Sequence, residues 1–188
     1  MEWFIGMCRG LAAIHERKIL HRDLKPANVF LTYERHTKWP KIGDYGCAKL
    51  FEGVTNKQTQ FVGTPNYMAP ELCDESDYNT ASDIWSLGCI LYELAALRPP
   101  FEAQSWLGLV MKIQKGEYKP LPEMYSPQLC DLVAQCLEKD PLRRPTADLI
   151  LRSPFVRAHV IGLEMAGTFS SPEEFDPLLS PTSPSDFY

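Results

Sequence analysis

The stretch His21-Arg22-Asp23-Leu24-Lys25-Pro26-Ala27-Asn28 sets a carboxylate, an ammonium group and a carboxamide close together along the chain. Asp23 can take a proton from a hydroxyl or hold that hydroxyl in line for attack, and Lys25 adds a positive charge two residues on. Asn28 offers an oxygen to a hard cation such as magnesium. A second oxygen donor, Asp44, follows 16 residues after Asn28, in Asp44-Tyr45-Gly46. Phosphoryl transfer asks for an oriented nucleophile, metal ligands and positive charge near the phosphates, and for little covalent work. Asp23, Lys25, Asn28 and Asp44 together hold all three. Neither stretch decides the matter alone. A His-Arg-Asp triplet arises by chance, and Asp-Tyr-Gly is a serviceable turn.

The elements around these residues can be read from periodicity. Phe4, Ile5, Cys8, Leu11 and Ala12 follow the spacing of one buried helix face, so the first twenty residues predict an amphipathic helix. Val29-Phe30-Leu31 and Pro40-Lys41-Ile42 predict a β-pair around a polar connection at 32–39. Residues 46–70 read as one long loop, and loops of that length in a compact domain usually carry function. From Asp83 to Leu97 apolar residues surround the helix, which marks it as the centre of the fold. Arg98-Pro99-Pro100 should stop it. Further helices are expected at about 104–115, 126–138 and 146–151. From about 162 the chain turns to Ser, Pro and acidic residues, a composition that predicts a disordered tail over 159–188. The expected fold class is mostly α, with short β-strands around the Asp23 loop and Asp44. No internal repeat is visible.

Residues 1–158 resemble the C-terminal lobe of a eukaryotic protein serine/threonine kinase, on segments that stand in the family's order and spacing. Asp44-Tyr45-Gly46 occupies the place of the Asp-Phe-Gly motif. Tyr45 departs from it by a hydroxyl that needs a partner, and this shifts the balance between active and inactive arrangements. Gly63-Thr64-Pro65-Asn66-Tyr67-Met68-Ala69-Pro70-Glu71 resembles the substrate-docking loop. Asp83-Ile84-Trp85-Ser86-Leu87-Gly88 resembles the buried helix whose Asp braces the catalytic loop, and Arg143-Arg144-Pro145 the late arginine. The resemblance implies ATP and Mg2+ as cofactors, with Asn28 and Asp44 as metal ligands and Phe30 on the adenine floor. It implies catalytic roles for Asp23, Lys25, Asn28 and Thr64, the Thr64 hydroxyl bridging Asp23 and Lys25. His21, Asp83 and a Glu71–Arg144 ion pair would hold the architecture.

Lys25 and Thr64 fit the serine/threonine class, so the implied partners are proteins with Ser/Thr acceptors. Within that class the segments 18–23, 87–94 and 100–103, with Gly43 before Asp44 and Tyr125-Ser126 followed by Leu129, look most like the NIMA-related (Nek) kinases. Lys41-Ile42-Gly43-Asp44 and Gly63-Thr64-Pro65-Asn66-Tyr67 also suit polo-like kinases. Arg22 and Lys49 can form a cationic pocket for a phosphorylated loop residue, for which Thr59 is the expected site and Thr55 the alternative. Ser171-Pro172, Ser180-Pro181 and Ser183-Pro184 resemble proline-directed phosphosites.

Composition bounds the remaining classes. A net charge of -5 and a pI near 5.4 point away from nucleic acid. No apolar run reaches the roughly 18 residues of a membrane span, and the first residues do not read as a signal peptide. Six cysteines form no Cys-x-x-Cys pair, which predicts reduced, mostly buried thiols and a cytoplasmic or nuclear setting. The sequence holds no Gly-rich loop and no strand lysine with a partner glutamate. The expectation is therefore a lobe without its N-terminal half: part of an active kinase that is weakly active or inactive alone, or else an interaction module presenting the helix at 104–115 to a regulatory partner.

Overall fold

The computed structural model describes residues 1–34, 37–45, 49–50, 65–74 and 77–167. Helix α1 (Glu2–Glu16) buries Phe4, Ile5, Met7, Cys8, Leu11 and Ile14 along one face. Strand β1 (Ile19–Leu20) follows, then the Asp23 loop, then the hairpin of β2 (Val29–Glu34) and β3 (Thr37–Ile42). The hairpin is longer than the sequence pattern suggested. Residues placed in the polar connection pair as strand, Thr32 opposite Trp39 and Tyr33 opposite Lys38, because Trp39 turns inward and is buried against α1. Strand β4 (Lys49–Leu50) pairs antiparallel with β1, Ile19 opposite Leu50 and Leu20 opposite Lys49.

The remaining α-helices of the described chain are α2 (Pro70–Cys73), α3 (Thr80–Ala96), α4 (Trp106–Lys115), α5 (Pro127–Cys136), α6 (Ala147–Arg152) and α7 (Pro154–Met165). Their starts follow from short polar side chains that satisfy the first free N–H groups. Asn79 accepts the Ala81 N–H at 2.8 Å ahead of α3, and Ser105, Ser126 and Thr146 do the same service for α4, α5 and α6. Helix α3 ends one step before the Arg-Pro-Pro stop. Leu97 takes a left-handed turn at φ 55° and returns its N–H to the Glu93 carbonyl.

Helix α3 is the axis of the core. Ile84, Trp85, Leu87, Cys89, Ile90, Leu91 and Tyr92 are all buried on it, as the all-round apolar pattern implied. It packs on α1 and α5, and α1 packs in turn on α6 and α7. The packed part runs further than residue 158: α7 buries Val160 and Leu163, so 159–165 are helix and not tail. The sequence understated this helix because its exposed positions are themselves apolar or small, such as Ile161 and Gly162. Residues 168–188, with the three Ser-Pro sites, lie outside the described residues. The five described cysteines carry free thiols. Burial pushes Cys8, Cys89 and Cys136 up, Cys136 to about 12 against the pull of Arg144. Among the described residues no helix is long and apolar enough to cross a membrane.

One close approach fixes the α3–α5 crossing. A Cβ on Gly88 would stand 2.5 Å from Cys136 Cβ and 3.2 Å from Leu137 Cδ2. Cys136 Cβ is fixed to its backbone and cannot swing aside, so Gly88→Ala should lower stability by about 1–3 kcal/mol through overpacking, read as a drop in the urea midpoint at constant m-value.

Candidate functional site

Asp23, Lys25 and Asn28 come together within one turn of chain. The loop closes through a short 3-10 turn at Pro26–Asn28. Lys25 Nζ donates to Asp23 Oδ2 at 2.6 Å, and Asn28 Nδ2 donates to the same oxygen at 3.0 Å and to the Asp23 carbonyl at 2.8 Å. Asn28 is buried, while Asp23 and Lys25 stay partly open. Asp44 is brought alongside by the hairpin. Val29 faces Ile42, and the Gly43 N–H donates to the Asn28 carbonyl at 2.9 Å, so Asn28 and Asp44 stand at the same end of the β2–β3 ladder. The separation in sequence is simply the length of the hairpin.

His21 links the two halves. Its ring is fully buried, with Nε2 at 3.1 Å from the Gly43 carbonyl and Nδ1 accepting the Asp23 N–H at 3.4 Å. A carbonyl only accepts, so Nε2 carries the proton and Nδ1 the lone pair. Tyr45 sits over this histidine, ring centroids 5.4 Å apart. Its extra hydroxyl finds a partner within the same turn, the Ile42 carbonyl at 3.2 Å. Burial pushes that phenol up, which keeps it a donor.

The loop backbone is held by Asp83, in the first turn of α3 and fully buried. Its Oδ2 accepts the His21 N–H at 3.1 Å and its Oδ1 the Arg22 N–H at 3.1 Å. Arg22 adopts φ 71°, a left-handed conformation costly for a residue with a long side chain, and Asp44 adopts φ 60°. Two further groups complete the carboxylate: His15 Nε2 at 2.8 Å on Oδ2 and the Tyr78 hydroxyl on Oδ1. Sequence reasoning missed both. His15 closes the buried face of α1, and Tyr78 stands five residues before Asp83; either could have been suspected, since a buried carboxylate needs more partners than two backbone amides supply.

Glu71 and Arg144 form a second anchor. Arg144 Nη1 and Nη2 donate to the two Glu71 oxygens at 2.8 and 2.7 Å. Its remaining donors reach the carbonyls of Glu138 (2.6 Å), Ala81 (2.9 Å) and Lys139 (3.1 Å). All five guanidinium N–H groups are thus used, and the group lies 5.0 Å from the Trp85 ring centroid. Ser82, also missed, adds its hydroxyl to Glu71 Oε1 at 2.7 Å. Burial alone would raise the Glu71 carboxyl, but Arg144 and Ser82 outweigh it and hold it below its ordinary value of 4.5.

Phe30 lies half-exposed on β2, its ring against Gly43, where a Cβ would meet it at 2.7 Å. Lys49 is opposite Leu20 in the β1–β4 pair, two residues from Arg22, whose guanidinium lies over the Tyr78 ring. The Lys49 side chain, Thr55, Thr59 and Thr64 lie outside the described residues. Asn28 and Asp44 offer oxygen donors, the type magnesium takes. Among the described residues no cluster of three or more His, Cys, Asp or Glu could hold a metal; magnesium usually needs only one or two carboxylates beside substrate phosphates.

The sequence matches the family described as the protein kinase domain over residues 1–156. Serine/threonine-protein kinase Nek3 of Mus musculus is 48% identical over 151 residues, covering 80% of this chain and 29% of that protein. Serine/threonine-protein kinase Nek4 of Mus musculus is 41% identical, covering 85% and 20%. Probable serine/threonine-protein kinase nek3 of Dictyostelium discoideum is 43% identical, covering 85% and 14%. The chain therefore spans less than a third of these relatives.

Removing one partner of a buried pair leaves the other charge stranded. Arg144→Met should cost about 3–5 kcal/mol in denaturant unfolding at neutral pH. The sign of its pH dependence is fixed by Glu71: a carboxyl held low stabilises above its ordinary value, and that contribution is lost as pH falls through the lowered one. The gap between wild type and Arg144→Met should therefore narrow below about pH 4.5.

Proposed function

Because the chain belongs to the protein kinase family, we propose that it supplies the catalytic and metal-binding half of a NIMA-related serine/threonine kinase, which moves the ATP γ-phosphoryl group to Ser or Thr of protein substrates. The observation that carries this reading is the arrangement at Asp23. Lys25 and Asn28 both donate to Oδ2, which leaves Oδ1 to meet a substrate hydroxyl and orient it for in-line attack. Lys25, tethered to the same carboxylate, brings its charge to where the transferring group passes. The Asn28 amide nitrogen is committed to Asp23, so its carbonyl oxygen is the atom turned to a cation, with Asp44 across the hairpin. Asn28 and Asp44 would hold magnesium there, and the ion would supply positive charge against the phosphates. Phe30, beside Gly43, suits an adenine floor.

The sequence carries no Gly-rich loop to cover the phosphates. The reading assigns that cover to an N-terminal lobe outside these 188 residues, which accords with the greater length of the relatives. The domain itself is read as residues 1–158 together with the remainder of α7 to Met165. A second reading, as an interaction module, is favoured by one feature: α4 exposes Trp106, Leu107 and Met111 on its surface.

Assayed with ATP, magnesium and a protein acceptor, a protein carrying this chain with its native flanking sequence should phosphorylate Ser/Thr. Asp23→Asn should lower kcat by at least about 100-fold with the fold intact. Transfer to tyrosine, or turnover indifferent to Asp23→Asn, overturns the proposal.

Regulation is proposed at Arg22 and Lys49, as a cationic site for phosphorylated Thr59; the pairing of Lys49 with Leu20, two residues from Arg22, supports it. Mass spectrometry of fully active protein should find phosphate on Thr59; full activity without phosphate on Thr59 or Thr55 removes this part of the reading.

A further inference from the structure

The two oxygens of Asp83 carry separate loads. Oδ2 serves His21 N–H and His15, while Oδ1 serves Arg22 N–H and the hydroxyl of Tyr78. Tyr78 meets Arg22 a second time, since the guanidinium carbon lies 5.9 Å from the Tyr78 ring centroid. Arg22 is also the loop residue held in a left-handed conformation, at φ 71°. A strained non-glycine turn persists only where its surroundings over-determine it. Here the surroundings are Asp83 at the backbone and the Tyr78 ring at the side chain, and Tyr78 takes part in both. Burial and the Asp83 carboxylate push the phenol far up, so the hydroxyl stays a donor at any working pH.

We propose that Tyr78 is a positioning residue for the transfer reaction: it clamps Arg22 in its left-handed turn from both ends, through Asp83 Oδ1 and through its ring, and so presents the adjoining Asp23. His15 does the equivalent for His21 through Oδ2. The link to transfer rests on the kinase reading, but the clamp itself does not.

Residue-resolved amide hydrogen exchange on the 188-residue chain tests it. Tyr78→Phe should speed exchange of the Arg22 amide by at least about tenfold, the scale of one hydrogen bond to a charged group, and leave the His21 amide nearly unchanged. Tyr78→Leu, which also removes the ring, should speed it further. His15→Ala should do the reverse, exposing His21 and sparing Arg22. Where a Tyr78 variant folds poorly, Arg22→Gly supplies the second measurement: glycine carries no left-handed penalty, so the clamp has less to hold, and the cost of Tyr78→Phe should shrink in that background. An unchanged Arg22 amide, a uniform rise across all amides, or an equal cost in both backgrounds overturns the proposal. Exchange needs no turnover, so a catalytically silent protein would count against the kinase reading and leave this result standing.

Discussion

Asp83 is fully buried, and a buried carboxylate is tolerable only when its lone pairs are filled. Two backbone amides, one imidazole and one phenol fill them. That requirement dictates much of what lies around it. Two consecutive N–H groups can converge on one carboxylate only if the chain turns sharply between them, and Arg22 in the left-handed region is the form the turn takes. Once His21 and Arg22 are fixed, Asp23 has little freedom left. The first turn of α3 adds its own contribution, since the positive end of a helix dipole favours a carboxylate there.

The same stretch of α3 organises the far side of the site. The Ala81 carbonyl and the Ser82 hydroxyl both enter the Glu71–Arg144 network. One turn on, the Ser86 hydroxyl donates to the Tyr67 carbonyl at 2.8 Å, and Glu93 accepts the Tyr67 hydroxyl at 2.7 Å. Segments from three distant parts of the chain are therefore indexed to one rigid helix. Its rigidity comes from the core: Trp85 stacks on Phe101 at 5.3 Å and carries Arg144 on its ring. A polar network this dense would be a liability on a loose scaffold, because each unmet group in a dry interior costs about 1–3 kcal/mol. On α3 every strand of it has a fixed address.

What the sequence made legible was the material with a short period or a fixed spacing. The buried face of α1 and the all-round apolar run of α3 follow from local rules. So do Asp23, Lys25 and Asn28, whose contacts span at most five residues. His15, Tyr78 and Ser82 were not legible. Each is an ordinary residue for its element, and its role exists only because folding brings a buried acid within reach. The hairpin was underestimated for a related reason: polar residues at 32–38 resemble a loop until Trp39, tucked beneath α1, shows that one side of the ladder is buried. Gly6 carries the same lesson, since only the packed structure shows that a Cβ there would stand 2.5 Å from Pro40 Cγ.

His21 explains how Asp23 and Asp44 can act as one site although they belong to different elements. Its Nδ1 holds the Asp23 amide, and its Nε2 holds the carbonyl just before Asp44. The ring is planar and fully buried, so the spacing between these two backbone points is set by the width of an imidazole. Movement of the Asp44 turn must then either break a buried hydrogen bond or drag the Asp23 loop with it. Tyr45 adds a second restraint on the same turn, through its tilted ring contact with His21 and its bond to the Ile42 carbonyl. A phenylalanine at that position would keep the ring contact and lose the bond. The tyrosine therefore ties its own turn back to the hairpin end, which favours one arrangement of Asp44 over others by the worth of a single hydrogen bond, about 0.5–1.5 kcal/mol. That is enough to shift the population of a two-state turn by roughly two- to tenfold, and too little to lock it.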